Sequence, residues 1–342
     1  MINIGTILLS APLMTGAVEN VNAHDLIMAV REDSASRMSL RADSKSPVTV
    51  DVSGFLQFRY LYNDGGSDEA TRGFDVDRAR IQLSGKAYDF DYVVSGQWSD
   101  TEFDLKDAFL SGDFSGFNVK VGQFVTSFYS GYVSDPTELI DGEYSVTALT
   151  YGQGRSQGVE ISREFDAFTA FFSYNDGFNT DNSSFGDNDY GFSARLEYDA
   201  FENFTIGGAY ATQHGAIEKY DTYTVDASTK FGAFDFSAAY VAANWNDSWN
   251  NYSVVGTASY ALDDQIQVFG QYEYGVLEGA ASDLQLGTVG VNYIFNSNVR
   301  WTNSFGYAFN GVDSGYNLTD TGWETSADSG QYLIRSMIQI TF

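Results

Sequence analysis

From Val50 to the last residue, apolar and polar positions alternate with a period of two. In GFDVDRARIQLSGKAY, Ala79, Ile81 and Leu83 alternate with Arg78, Arg80, Gln82, Ser84 and Lys86. In FDYVVSGQWSD, Phe90, Tyr92, Val94 and Trp98 stand against Asp91, Ser95, Gln97 and Ser99. DYGFSARLEYD sets Tyr190, Phe192, Ala194, Leu196 and Tyr198 against Ser193, Arg195 and Glu197. The final stretch, QYLIRSMIQITF, puts Tyr332, Ile334, Ile338, Ile340 and Phe342 on one side and Leu333, Arg335, Met337, Gln339 and Thr341 on the other. A strand lays alternate side chains on opposite faces, so each segment has one greasy and one polar side.

The pattern predicts about sixteen strands, near 50–62, 75–87, 90–100, 104–112, 117–125, 155–164, 168–175, 189–198, 203–213, 220–231, 234–245, 251–261, 265–275, 283–295, 299–309 and 331–342. At about 10 to 13 residues they are longer than ordinary soluble strands and suit a tilted crossing of a bilayer. Aromatics gather at segment ends, as in Tyr60 and Tyr62, Tyr272 and Tyr274, or Phe305, Tyr307 and Phe309, where an interfacial girdle belongs. Links alternate in length. Tight turns at 88–89, 113–116, 232–233, 262–264 and 296–298 are interleaved with longer acidic links at 63–74, 126–154, 176–188, 276–282 and 310–330. The expected fold is all-β: a transmembrane antiparallel barrel with a long third loop folded inward. In lipid every backbone N–H and C=O must be paired, so strands cross only as a closed barrel, and the last strand has to close against the first. With the first strand rising, both chain ends lie in the periplasm. The terminal Phe342 is then the signal that outer-membrane assembly machinery reads.

Composition narrows this further. Asp and Glu number 46 against 18 Lys and Arg, with 34 Gly, 27 Phe, 23 Tyr, 3 Pro and no Cys. The mean hydropathy of -0.23 and the lack of any run of about 20 apolar residues exclude a bundle of membrane helices. A net charge of -28 repels a polyanion and excludes nucleic acid as a partner. Without Cys there is no disulfide framework and no thiolate chemistry.

The N-terminus, MINIGTILLSAPLMTGAVENVNAHD, has an apolar stretch from Ile4 to Val18 and small residues before Ala23. That predicts a signal peptide over 1–23 and a periplasmic segment over 24–49, with a short helix near Leu26–Arg31. No Lys or Arg precedes the apolar stretch, so either the true start lies upstream or the signal is unusual. A plain N-terminal extension is the simpler alternative.

The link TSFYSGYVSDPTELIDGEYSVTALTYGQG over 126–154 is far longer than an ordinary connection, which points to function. Asp135, Glu138, Asp141 and Glu143 lie on it and Arg155 follows it. Folded into the lumen it would narrow the channel; the bland alternative is a solvated outer loop. By alternation Arg59, Arg78, Arg80 and Arg335 all face inward, and closure makes their strands neighbours. An acidic loop facing this basic wall would set a transverse field that orders small polar solutes. The plainer reading pairs these arginines with lumen carboxylates such as Asp51 and Asp91.

RARIQLSGKAYDFDYVVSGQW, followed by LKDAFL and NVKVGQF, resembles the phosphate-selective porin O and P family. The resemblance implies a sixteen-stranded homotrimeric diffusion channel in a Gram-negative outer membrane, with lipid and lipopolysaccharide around it. In the selective members the inward loop presents lysines. Here the matching segment has none, so the reading favours a general porin for small hydrophilic solutes and ions, with phosphate or anion selectivity as the alternative.

Other motifs weigh less. Asp181, Asp187 and Asp189 are oxygen ligands of the kind Ca²⁺ uses, but their spacing misses an EF-hand and a solvated acidic loop explains them. Loose Ca²⁺ or Mg²⁺ at the acidic outer loops is expected, with no other cofactor. GQGRSQG at 152–158 lacks dinucleotide spacing and reads as a turn. An outer-membrane hydrolase would need a His-centred site, and the chain has only His24 and His214. No enzyme is expected.

Overall fold

The computed structural model describes residues 38–40, 48–66, 69–99, 102–180, 189–201, 203–215, 220–245 and 248–342. The predicted signal peptide and the helix near Leu26–Arg31 lie outside the described residues.

In chain order the elements are β1 (Met38–Leu40), β2 (Val50–Asn63), β3 (Thr71–Ala87), β4 (Phe90–Ser99), β5 (Glu102–Phe114) and β6 (Phe117–Val125). Two short helices follow, α1 (Ser130–Val133) and α2 (Val146–Tyr151). Then come β7 (Arg155–Phe165), β8 (Phe168–Asn175), β9 (Tyr190–Phe201), β10 (Phe204–His214), β11 (Tyr220–Phe231) and β12 (Phe234–Trp245). The chain ends with β13 (Ser248–Ala261), β14 (Ile266–Val276), β15 (Leu284–Asn296), β16 (Val299–Ala308) and β17 (Tyr332–Thr341). Strands β2 to β17 form a closed antiparallel barrel of sixteen. Closure is made by β17 on β2, from Leu333 opposite Asn63 to Thr341 opposite Phe55. β1 adds a three-residue edge against Val50–Val52.

Strand β3 starts four residues before its predicted start, because Thr71–Phe74 stay paired with Tyr60–Asn63 at the top of β2. The predicted link at 63–74 therefore shrinks to 64–70. At the opposite end the turns are tight. Ser115 and Gly116 take φ of 59° and 82°, the pair of positive values that a two-residue type I′ hairpin requires.

The two faces are inverted relative to a soluble protein. Ile334, Ile338 and Ile340 on β17 are 42%, 43% and 40% exposed, while their neighbours Arg335 and Gln339 are 4% and 6% exposed. Such a surface is stable only against hydrocarbon, and an outward Arg would cost roughly 2–4 kcal/mol at the bilayer midplane. The polar interior is cross-linked from strand to strand. Gln57 Nε2 donates to Gln339 Oε1 at 3.0 Å, Asn292 Nδ2 to Gln267 Oε1 at 3.1 Å and Thr302 Oγ1 to Asn292 Oδ1 at 2.7 Å.

The long-loop mouth carries its own apolar core. The 309–331 link folds back on itself, with Val312 and Ser326 exchanging backbone hydrogen bonds at 2.8 and 2.9 Å. Val312, Tyr316 and Trp323 pack on Val146 and Tyr151 of α2 and on Leu284 and Leu333 of the wall. Asn317 is tied to α2 through the Thr150 hydroxyl at 3.0 Å.

Candidate functional site

The 126–154 loop makes its contacts with inward side chains on several walls of the barrel. At its root, the buried Glu160 carboxylate of β7 accepts from the Ser127 N–H at 2.9 Å and from Lys120 Nζ of β6 at 2.9 Å. Phe128 and Tyr129 then pack into alanines of β10 and β12, and Arg195 of β9 donates to the Phe128 carbonyl at 2.9 Å.

From α1 the loop runs to the β2–β3–β17 wall. Asp135 opens a turn in which its Oδ1 accepts from the Thr137 N–H at 2.9 Å and the Thr137 hydroxyl at 2.7 Å. Wall side chains then take the loop's backbone carbonyls in succession. Gln339 holds Thr137 at 3.2 Å, Arg300 holds Leu139 at 2.9 Å, Asn292 holds Ile140 at 2.9 Å and Gln57 holds Gly142 at 3.3 Å. Gly142 is required here: its φ is +75°, and a Cβ would stand 2.7 Å from Met337 Sδ.

The charges interlock at this point. Asp141 is paired with Arg335. Glu143 receives Arg59 Nη1 at 2.6 Å and Arg78 Nη2 at 2.8 Å. Arg59 also meets Asp75 at 3.0 Å and Asp77 at 2.6 Å, and Arg78 meets Asp77 at 2.7 Å. Arg59 Nη1 and Arg335 Nη2 also reach the Asp320 and Thr321 carbonyls of the 309–331 link. Burial alone would push the Glu143 carboxyl up, but Arg78, Arg335 and Arg59 together overcome that and hold it down to about 2.

Beyond Glu143 the loop reaches β14, on the same side of the barrel as β15 and β16. Ser145 caps α2, accepting from the Ala148 N–H at 3.0 Å. The buried Glu273 of β14 accepts from the next orphan donors, Val146 N–H at 3.3 Å and Thr147 N–H at 2.8 Å. Below the loop lies a cavity of about 390 Å³, lined by Ser134 and Glu138 above and by Glu197, Asp226 and Asp235 on the wall.

The four wall arginines predicted from alternation do face inward, and three of them meet Asp141 or Glu143. The expected geometry of an acidic loop facing them across open space is corrected: loop and wall touch. Asp51 and Asp91 are not the arginines' partners; Asp91 pairs with Lys86 at 3.1 Å, nearer the short-turn end. Arg80 stands apart, bound to Gln97 Oε1 at 3.1 and 2.7 Å and reaching Asp135 only at 3.5 Å. Asp135 and Glu138 remain on the open side of the loop.

Sequence reasoning missed Asp77. The register shifts between Gln57 and Phe58, and this bulge turns the adjacent Asp77 and Arg78 both inward, breaking the alternation locally. Glu273 and Glu160 were legible as inward positions but gave no sign of binding loop backbone. Asp181 and Asp187 lie outside the described residues. Among the described residues no group of three or more His, Cys, Asp or Glu is placed to hold a metal ion. His214 ends β10 and stacks on Tyr190 with ring centroids 5.3 Å apart.

A sequence profile of the Gram-negative porins matches residues 34–313, most of the chain. The chain belongs to the Gram-negative porins. No curated protein matches it by sequence. This porin has the fold of OmpF of Salmonella typhi, solved with daunomycin, at 16% identity and a TM-score of 0.68, over 89% of this chain and 100% of that one. It is similar to the anion-selective porin of Comamonas acidovorans at 14% identity and 0.67, over 86% and 100%. OmpT of Vibrio cholerae matches at 18% identity and 0.65, over 89% and 100%. The chain is thus an outer-membrane channel for passive diffusion rather than an enzyme.

Proposed function

We propose that this porin passes small hydrophilic solutes and prefers cations, with the 126–154 loop forming its narrow point. One observation carries the reading. The basic wall is spent on internal contacts: Arg59, Arg78 and Arg335 are each buried against carboxylates, whereas Asp135 and Glu138 of the loop stay accessible. A permeating ion meets the unpaired surplus of charge rather than the paired interior, and that surplus is acidic. Loop backbone bound to Gln57 of β2 and to Glu273 of β14 keeps the narrowing rigid.

The same observation weighs against the phosphate-selective branch suggested by the sequence resemblance, since the loop offers no lysine and Arg59, Arg78 and Arg335 are occupied by carboxylates. The Comamonas relative is anion-selective, but at 14% identity it speaks for fold alone. We also infer a homotrimer, in line with the trimer form described for OmpT of Vibrio cholerae. The short-turn end, where both barrel termini lie, is assigned to the periplasm. A leader removed after Ala23, assembly through the strand ending at Phe342, and loose Ca²⁺ or Mg²⁺ bridging acidic loops to lipopolysaccharide complete the proposal.

The test is the reversal potential of the purified protein in a planar bilayer under a KCl gradient, repeated with phosphate. Cation preference without phosphate block is expected. Anion preference with block would return the phosphate-selective reading.

A further inference from the structure

We propose that Arg163, on the lipid-facing side of β7, binds the phosphodiester of a phospholipid headgroup at the short-turn end of the barrel. The inference rests on the periplasmic assignment of that end and is independent of the ion preference proposed above.

Most basic side chains of the strands are held by the protein itself. Arg155 meets Asp107 at 3.0 Å, Lys120 meets Glu160 at 2.9 Å and Arg195 meets Asp226 at 2.7 Å. Among the described residues, Arg72 and Arg163 are the Lys or Arg side chains with neither a hydrogen-bonding nor a carboxylate partner. Arg72 stands at the first turn of β3, at the long-loop mouth. Arg163 lies within β7, and its parity is outward. Ile161 and Phe165, two positions to either side, are 39% and 45% exposed, whereas Glu160 is buried.

The surroundings fix both the depth and the pose of this charge. Its guanidinium lies over the exposed Phe117 ring of β6 at 4.6 Å from the centroid. On the other side, the residue opposite it on β8 is the short Ala170. One pair nearer the turn, Phe165 faces Phe168, and Phe168 stacks in turn on Tyr198, with centroids 5.8 and 4.6 Å apart. Such a row of rings marks the level where the apolar band meets the headgroups. Arg163 therefore stands one pair inside that row. The neighbouring acids do not answer it: Glu164 has the opposite, inward parity, and Asp166 sits in the turn with a φ of 53°.

A lipid phosphate suits this arrangement for a simple electrostatic reason. An outward Arg inside the apolar band is costly unless an anion accompanies it, and the protein supplies none here. Phe117 covers one face of the guanidinium and leaves its in-plane N–H donors open. That planar fork matches two oxygens of a phosphate. The phosphodiester is the anion that a phospholipid carries at this level, and the leaflet on the periplasmic side is the one built of phospholipid. The headgroup approaches over Ala170, and the acyl chains then run along the exposed Ile161 and Val121. Arg163 gains a counter-ion and the lipid gains a fixed position on the barrel.

The experiment is native mass spectrometry of the full-length protein in a neutral detergent, titrated with phosphatidylglycerol and, separately, with diacylglycerol of the same chains. The parent is expected to retain phosphatidylglycerol in preference to diacylglycerol. Arg163→Gln should weaken the tightest phosphatidylglycerol site by about fivefold, the scale of one basic side chain at a membrane surface, and leave diacylglycerol unchanged. Arg163→Lys, which keeps the charge, should fall between the two. Phe117→Leu removes the ring but keeps an apolar surface, and its smaller loss gives a second reading where Arg163→Gln does not fold. Parent-like phosphatidylglycerol retention in folded Arg163→Gln overturns the site alone. Displacement of the lipid by millimolar inorganic phosphate overturns the lipid as its occupant. Retention of lipopolysaccharide through Arg163, with phosphatidylglycerol indifferent to the substitution, overturns the periplasmic assignment and the site with it.

Discussion

Two walls of this barrel hold the same loop by opposite means. The β2–β3–β17 wall is built of long side chains, Gln57, Arg59, Arg78, Arg335 and Gln339, that reach out and grip carboxylates and carbonyls. The β10–β12 wall is built of small ones, Ala209, Ala211 and Ala239, against which Phe128 and Tyr129 pack directly. The first fastening is electrostatic and directional. The second depends on there being nothing in the way. A loop held by charge alone would be loosened by salt and acid; a loop held by packing alone would have no fixed register. Together they place Asp135 and Glu138 on the open side.

Breaking the charged wall has the largest expected effect. Arg335→Ala leaves the buried Asp141 carboxylate without its guanidinium, which should cost about 3 kcal/mol in urea unfolding followed by gel mobility. On the packed wall, Ala211→Leu inserts volume where Phe128 and Ala148 already sit. About 1–3 kcal/mol of strain is expected, with single-channel conductance altered because the loop shifts. If Ala211→Leu changes neither stability nor conductance, packing does not hold the loop.

Acid sharpens the same contrast. The folded Glu143 carboxyl titrates near 2, below its ordinary value of 4.5. Its contribution to stability is therefore complete above about 4.5 and is lost as pH falls through about 2. Unfolding midpoints should show no loss from this group between pH 7 and 5, then a decline that Glu143→Gln abolishes. The smallest effect belongs to Glu138→Gln on the open side. Stability should stay within about 0.5 kcal/mol while the reversal potential moves toward the anion side.

Period-two alternation made nearly every strand legible, because a barrel in lipid allows no strand to bury its polar face outward. It also placed Arg59, Arg78, Arg80 and Arg335 in the lumen, since inward parity is fixed once β17 closes on β2. What alternation could not give was distance across the lumen. Asp141 and Glu143 read as charges facing a wall, and only the chain's path through Gly142 shows that they touch it. Asp77 escaped because a bulge adds a residue and so resets parity. The anchors Glu160 and Glu273 escaped for another reason. A carboxylate that binds backbone N–H groups leaves no mark in the sequence of its partner.

The central claim is that loop carboxylates neutralise the arginine wall and leave an acidic surface to choose the ions. Its most direct test is the reversal potential of the Asp141→Asn, Glu143→Gln double variant under a KCl gradient, beside the parent channel. Loss of the loop carboxylates leaves Arg335 without one and leaves Arg59 and Arg78 to Asp75 and Asp77 alone, which predicts a shift from cation toward anion preference in channels that still conduct. Conducting channels with the parent reversal potential would contradict the account, because the arginines would then be silent for some reason other than the loop.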